Sequence, residues 1–287
     1  MSFFTPPCSN WTFIMLKQSQ IETLTLSLNW RHLGYTPAER SHILSRLVVA
    51  AQASVRTLTV LDITHLLETL GFAAQLPLLD ALNFISRRKW KAGSSDTTSI
   101  PIVLNMKTIF ARAEMLFFMF SRPPPLTVPR LEKIFVAFYT KDKGMFNITA
   151  TATSIARLRD SVGPNVDLLP TIEMDSGLRS MESLCNGNQP ICPIWEQEFS
   201  KFPTLSLTGK MTILDSPDTF RIILELLRLF SGIEDLHIRL RPSPEVDPTP
   251  IHLKPWMVKA ISNQSPNITF IYFNEVAQHI SLPSQTL

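Results

Sequence analysis

One short pattern of residues, apolar-x-x-apolar-x-apolar, recurs seven times along the chain, and each copy has the length of a single β-strand. The copies begin at Ile21, Val55, Leu79, Leu131, Phe202, Ile233 and Ile268. A strand-and-helix unit repeated at intervals of a few tens of residues is typical of a solenoid, in which each unit packs only on its neighbours. The pattern therefore predicts an α/β repeat fold, a class that usually binds other macromolecules.

Helices are predicted between the strands from their own start and stop signals, and such helical crossovers between successive strands imply a parallel sheet. Thr36, Pro37 and Glu39 fit the N-cap, the first helical residue and the acid of a capping box, so a helix is expected to begin there. Further helices are expected after Asp62 as a cap, around Met106 to Phe120, over Thr149 to Leu158, from Ser216 to Gly232 and over Pro255 to Ser262, with another strand over Leu168 to Glu173.

Side chains alternate between the two faces of a strand, so the last two apolar positions of each copy share one face. That face is expected to be covered by the helices of a curved parallel sheet. The predicted domain organisation is an N-terminal cap or extension over 1–20, a repeat domain over 21–275 with an irregular insert at about 145–200, and a tail over 276–287.

Composition limits the class of protein further. Of 287 residues, 45% are hydrophobic and 18% are charged, which supplies a large core and argues against a disordered chain. The formal charge of +3 is too small to indicate a nucleic-acid partner. An odd set of three cysteines favours a reducing compartment. Neither a membrane-spanning run of roughly 20 apolar residues nor a secretory signal is recognised, so we expect a cytoplasmic or nuclear protein.

The strand copies resemble degenerate leucine-rich repeats, most clearly in the segments that begin at Ile21, Val55 and Ile233. The residue pattern over 21–275 is similar to that of the C-terminal repeat region of fungal F-box proteins. Proline precedes strands, as in Pro129-Arg130-Leu131, and aromatic residues are frequent. In that family the repeats recognise a substrate, while an N-terminal F-box couples to a ubiquitin-ligase scaffold. The resemblance thus implies the substrate-recognition part of such an adaptor.

The F-box itself is not found. That module would need roughly 40 residues of short helices with a Leu-Pro-x-Glu-like motif, whereas Met1 to Gln20 contains no such motif and a strand already begins at Ile21. We therefore expect either a shortened relative or a repeat protein that works without the adaptor, and a ubiquitin-ligase scaffold is a partner implied by the resemblance alone.

Motifs of enzymatic chemistry are missing from the sequence. It has no Gly-x-Ser-x-Gly, His-Glu-x-x-His or Cys-x-x-Cys motif, and nine glycines give no phosphate-binding loop. No enzymatic activity, cofactor or metal is therefore predicted. The basic run Arg87 to Lys91 fits either a solvated loop or a nuclear-localisation or phosphate-binding patch. Cys185 and Cys192 are interpreted as ordinary thiols.

The face of the sheet opposite the helices is the predicted binding site, and its partner is expected to be a protein. Phe135 and Tyr272 are its expected aromatic anchors and Arg239 its polar one. The whole predicted face comprises Thr23, Thr25, Thr57, Thr59, Asn83, Lys133, Phe135, Asp235, His237, Arg239, Tyr272 and Asn274.

Other interpretations stay open. Asp235, His237 and Arg239 fit a partner-binding patch, an exposed face chosen for solubility, or an acid/base site. For the whole chain, the alternatives to an interaction scaffold are a small α/β enzyme with its site on a loop, and a decaying repeat protein without a retained partner.

Overall fold

The computed structural model describes residues 8–28, 34–85, 100–139, 148–173, 193–210, 217–241 and 253–280. Within these ranges the helices are α1 (Cys8–Ser19), α2 (Pro37–Ala51), α3 (Leu66–Ala73), α4 (Ala113–Ser121), α5 (Ile148–Val162), α6 (Pro193–Phe199), α7 (Pro217–Leu229) and α8 (Pro255–Gln264). The strands are β1 (Thr23–Ser27), β2 (Thr57–Leu61), β3 (Ala81–Ile85), β4 (Thr108–Arg112), β5 (Lys133–Tyr139), β6 (Asp167–Glu173), β7 (Thr204–Lys210), β8 (Asp235–Arg241), β9 (Phe270–Phe273) and β10 (Val276–His279).

The strands form a ten-stranded sheet whose order, β1 to β10, is the order of the sequence. Pairing is parallel from β1 to β4 and from β6 to β9, while β10 pairs antiparallel with β9. The predicted α/β class with a mostly parallel sheet is therefore confirmed.

Contacts between residues divide the chain into two compact units. Unit 1 comprises Met1–Phe135 and Ser161–Asp167, and unit 2 comprises Val136–Asp160 and Leu168–Leu287. The boundary falls within β5. The finer division predicted at residues 20 and 275 stays a prediction.

In unit 1, each strand from β2 to β5 begins with the same backbone contact to the segment at the start of the strand before it. The carbonyl oxygen of Glu22 accepts hydrogen bonds from the amides of Arg56 and Thr57, at 2.8 and 2.9 Å. The carbonyl of Arg56 accepts in the same way from Asp80 and Ala81, at 2.8 and 3.0 Å. The carbonyl of Asp80 accepts in the same way from the amides of Lys107 and Thr108. The carbonyl of Lys107 then accepts from the amides of Glu132 and Lys133. A carbonyl oxygen has two lone pairs, so one acceptor can fix two donors and thereby the register.

Unit 2 repeats this contact. The carbonyl of Pro203 accepts from Glu234 and Asp235, at 2.7 and 3.0 Å, and that of Glu234 accepts from Thr269 and Phe270, at 2.8 and 3.3 Å. A tight turn precedes many strands in both units, with the amide of the first apolar residue of the sequence pattern bonded to the carbonyl three residues earlier. This turn joins Leu79 to Leu76, Leu131 to Val128, Phe202 to Phe199, Ile233 to Phe230 and Ile268 to Ser265.

The region around Met106 differs from the sequence prediction of one helix up to Phe120. It contains the strand β4, which pairs in parallel with β3, followed by the helix α4. Met106, Ile109 and Ala111 have the same spacing as the other copies, and all three are fully buried. The backbone ladder to β3 outweighs local helix propensity here, and it halves the long interval between the copies at Leu79 and Leu131.

The start of α2 follows the prediction. The side chain of Thr36 accepts the amide of Glu39 at 3.3 Å, and the Glu39 carboxylate accepts the amide of Thr36 at 2.8 Å. The amide of Thr36 and, second, its hydroxyl both donate to the Glu39 carboxylate, and these two bonds lower the pKa of Glu39. One turn on, Arg40 forms two hydrogen bonds to Glu68 of α3, at 2.9 and 2.7 Å, which joins two successive helices.

The predicted cap of α3 is wrong. Asp62 lies at the end of β2 with a φ of 52°, and the helix begins only at Leu66, after His65. The other helix and strand predictions, over Thr149 to Leu158, Leu168 to Glu173 and Pro255 to Ser262, are confirmed by α5, β6 and α8. The helix predicted from Ser216 is confirmed by α7 from Pro217 onward.

In unit 2 the core contains a group of phenylalanines. The ring centroids of Phe199 and Phe230 are 4.9 Å apart, and those of Phe202 and Phe230 are 6.1 Å apart. Gly232 lies beside this group, where the chain turns from α7 towards β8. A Cβ atom added at Gly232 would overlap the carbonyl oxygen of Ser200, which belongs to the turn after α6. Glycine is therefore required where these two backbone turns pass each other.

Gly232→Ala should destabilise the protein by about 1–3 kcal/mol, the usual cost of forcing extra volume into a packed site. Gly71→Ala is the matched control, because α3 leaves open space around that position and alanine favours helix by about 0.5–1 kcal/mol. Denaturant unfolding of both variants measures the two effects. A Gly232→Ala protein as stable as the parent would contradict the close approach to Ser200.

Candidate functional site

Burial alternates along the strands as the sequence predicts. In β1, β2 and β3 the second and fourth residues are buried, and the residues between them are exposed or half-buried. The buried set includes Leu58, Val60, Leu82 and Phe84, each with at most 1% of its surface exposed. The other side of the sheet carries the predicted site residues except Asn274. We call this side the open face.

In unit 1 the open face carries mostly uncharged polar side chains. Register aligns Thr25, Thr59 and Asn83 in one row across β1 to β3, and the Asn83 amide nitrogen donates to the Thr59 hydroxyl at 3.3 Å. A neighbouring row contains Thr23 and Thr57. Hydroxyl and amide groups of this kind can exchange hydrogen bonds with a partner but carry no charge to attract one.

The end of unit 1 contributes Lys133, which is exposed, and Phe135, which is half-buried on β5. Tyr272, the other aromatic anchor expected from sequence, is half-buried on β9. Phe135 belongs to unit 1 and Tyr272 to unit 2. The two residues are therefore considered as parts of separate surfaces.

Unit 2 brings four rings together on its open face. The rings of His237 and Tyr272 stack with centroids 4.3 Å apart and an angle of 7° between their planes. The ring centroids of Phe270 and Tyr272 are 6.1 Å apart, and those of His279 and Phe270 are 5.2 Å apart. Register explains the arrangement, because Tyr272 pairs with His237 of β8 and Phe270 pairs with His279 of β10. We call these four rings the ring strip.

Sequence analysis missed half of the ring strip. Phe270 is two residues before Tyr272, and strand alternation was a signal that could have placed it on the same face. His279 was assigned to the C-terminal tail, whereas it lies on β10, the last strand of the sheet. Its pairing depends on a two-residue turn that the apolar pattern does not reveal.

Asn274 departs from the predicted open face. It lies with Glu275 in the turn between β9 and β10, and the two residues have φ values of 46° and 71°. Two successive positive φ values are typical of the tight hairpin turn that suits the twist of paired strands. The Asn274 side-chain oxygen accepts the amide of Leu240 at 2.7 Å, which fastens this turn to the end of β8.

Charged groups flank the ring strip. Arg239 donates to the carboxylate of Glu275 at 2.6 Å, so its charge is already matched. Asp235 forms no ion pair with any residue in the described ranges. Burial lowers the pKa of His237, and the nearby charge of Arg239 lowers it further, against the opposite influence of Asp235 and Glu275.

Two polar atoms near the ring strip are buried without a hydrogen-bond partner among the residues that the structure describes. They are the Ser206 hydroxyl oxygen and the Nδ1 atom of His237. Ser206 has 7% of its surface exposed and pairs with His237 in the parallel register of β7 and β8. Most buried polar atoms in folded proteins have partners, so these two indicate unused bonding capacity.

A separate cleft of about 460 Å³ lies in unit 1 near the starts of the strands. Lys17, Glu22 and Arg56 supply its charged groups and Ser54 a hydroxyl, while Val49 and Leu78 supply apolar surface. None of the site residues predicted from sequence lines this cleft, so it is distinct from the open face.

Within the described ranges, no group of three or more His, Cys, Asp or Glu side chains is placed to hold a metal ion. The helices described there are also too short or too polar to cross a membrane. Two sequence interpretations, the basic run Arg87 to Lys91 and the pair Cys185 and Cys192, lie outside the described residues.

Comparison with known proteins gives no relative for this chain. No family model, no curated protein and no solved structure matches it. The resemblance to leucine-rich repeats and to F-box proteins therefore stays a prediction from the residues themselves.

Acidification should destabilise unit 2 through His237. Because the pKa of His237 is lowered in the folded state, the unfolded chain binds its proton at a higher pH than the folded protein does. The contribution of neutral His237 to stability is therefore fully present above the ordinary pKa of 6.5. It is lost as the pH falls through the lowered pKa of the folded state. We expect His237→Gln to reduce the loss of Tm between about pH 7.5 and about pH 5. His42→Gln, which removes an exposed histidine of unit 1, is the control. Equal pH dependence in His237→Gln and in the parent would contradict this role.

Proposed function

We propose that this protein is a non-enzymatic scaffold for protein–protein interaction, built as a leucine-rich-repeat-like solenoid, and that the open face of unit 2 binds a partner protein. The observation that carries the proposal is the ring strip, four adjacent rings on the side of the sheet opposite its buried apolar residues. Phe270 keeps 36% of its surface exposed although apolar residues of strands are usually buried.

The repeated backbone contacts support the solenoid part of the proposal. In both units a carbonyl at the start of one strand accepts two amides of the next strand. Repetition of one local arrangement from strand to strand is the property that defines repeat proteins, whose extended faces are used for binding. If the protein is the substrate-recognition part of a ubiquitin-ligase adaptor, the open face is where the substrate binds. The proposed location of the protein is the cytoplasm or the nucleus.

The composition of the ring strip supports a protein partner. Energetically dominant residues of protein interfaces are enriched in Tyr, Trp and Arg, and they lie among residues that exclude water. Tyr272 lies at the centre of the strip, Arg239 lies on the same face, and the smaller Ser206 and Thr208 flank them on β7. The face is polar at its margin and aromatic at its centre, as in many interfaces.

Replacement of Phe270 and Tyr272 together by alanine should lower recovery of the partner about tenfold or more, because loss of a hot-spot aromatic residue costs about 2 kcal/mol. The measurement is affinity capture from cell lysate with quantitative mass spectrometry, followed by binding of the purified partner. Circular dichroism and Tm of the double variant show whether the fold is kept.

Trp256→Ala is the matched control, since it removes an exposed aromatic side chain from helix α8 of the same unit. Proteins lost with the double variant but kept with Trp256→Ala are the partners that the proposal requires. Ubiquitin-ligase scaffold subunits among them would support the adaptor version. An identical set of captured proteins for the parent and the double variant would contradict binding at this face.

A further inference from the structure

We propose that the partner segment that docks on the ring strip carries arginine, and that a guanidinium group lies against these rings beside Asp235. This inference rests on the proposed function, because it names the chemistry of the partner at the same face.

The rings supply a surface for a cation. The face of an aromatic ring carries a partial negative charge, so a guanidinium placed over Tyr or Phe is attracted to it. His237 stacks on one face of the Tyr272 ring, and the centroid of the Phe270 ring lies 6.1 Å from that of Tyr272 with the two planes 30° apart. The guanidinium is therefore placed against Phe270 and the part of Tyr272 that His237 does not cover. A planar guanidinium can stack on this surface more extensively than the compact ammonium of lysine.

Charge around the strip also favours a cation. The charge of Arg239 is matched by Glu275 at 2.6 Å, and Glu275 keeps 67% of its side chain exposed. Asp235 has no ion-pair partner in the part of the chain that the structure describes. It lies next to the strip, because β8 places it two residues before His237 and in register with Phe270. Among the described side chains beside the rings, the charge left unmatched is therefore negative, and a complementary partner is positive.

An anionic occupant fits this surface less well. A nucleic-acid strand could stack its bases on the rings, but its phosphates need unpaired cations along their path. Among the described side chains that flank the strip, the cation is Arg239, which already bonds to Glu275, while Asp235 and Glu275 would repel phosphate. The Ser206 hydroxyl and the His237 Nδ1 atom, both buried, lack partners within the described ranges, so polar bonding capacity beside the rings is unused.

The test uses the purified full chain and a short fluorescein-labelled peptide in which serine and arginine alternate. Fluorescence anisotropy measures its binding beside peptides in which lysine or glutamate replaces arginine, and beside a short oligothymidylate. We expect the arginine peptide to bind at least about threefold more tightly than the lysine peptide, and the glutamate peptide and the oligonucleotide to bind more weakly than both.

Variants then locate the binding. Asp235→Asn and Tyr272→Leu should each weaken the arginine peptide about threefold or more, whereas Asp160→Asn, which removes an exposed charge from helix α5, should leave it unchanged. Three results would overturn the inference. The arginine peptide does not bind detectably, it binds equally to all three variants, or it binds more weakly than the oligonucleotide. If the Phe270 and Tyr272 double variant still loses its captured protein in that case, docking at the face stands and only the arginine preference fails.

Discussion

The backbone carbonyl at the start of each strand is the contact on which this architecture depends. Glu22, Arg56, Asp80 and Lys107 in unit 1, and Pro203 and Glu234 in unit 2, each accept two amides from the next strand along the chain. Both lone pairs of one oxygen are used, so the register of the next strand is fixed at its first residue. A shift by one residue would turn every side chain of that strand to the opposite face.

Fixed register explains how the strands separate the buried core from the open face. In each unit the apolar positions of the repeated pattern fall on the buried side, and the residues between them fall on the open face. The ring strip follows from the same rule, because Asp235, His237 and their partners Phe270 and Tyr272 alternate with the buried Leu236 and Ile271. One geometric constraint thus decides which residues pack the core and which lie on the open face.

Much of the fold could be predicted because it depends on patterns of residues that are close together in the sequence. Thr36 and Glu39 define a helix start through contacts only three residues apart, and the apolar spacing marks most of the strands. The prediction failed where distant pairing decides the structure. Around Met106 the residues suit a helix as well as a strand, and only the ladder to β3 selects the strand. Asp62 looks like a cap in sequence but takes a left-handed conformation at the end of β2.

The candidate site shows the same division. His237, Arg239 and Tyr272 were found by alternation alone, whereas His279 required the hairpin turn at Asn274, which brings β10 beside β9. The stacking of His237 on Tyr272 and the pairing of Arg239 with Glu275 depend on residues about 35 positions apart, which no local pattern encodes.

Residue-resolved hydrogen exchange of the native protein tests the strand-start contacts most directly. We predict that the amides of Thr57, Ala81 and Thr108 in unit 1, and of Asp235 and Phe270 in unit 2, exchange at least about 100-fold more slowly than in the denatured chain. Exchange of these amides at the denatured rate, while the strand centres remain protected, would contradict it.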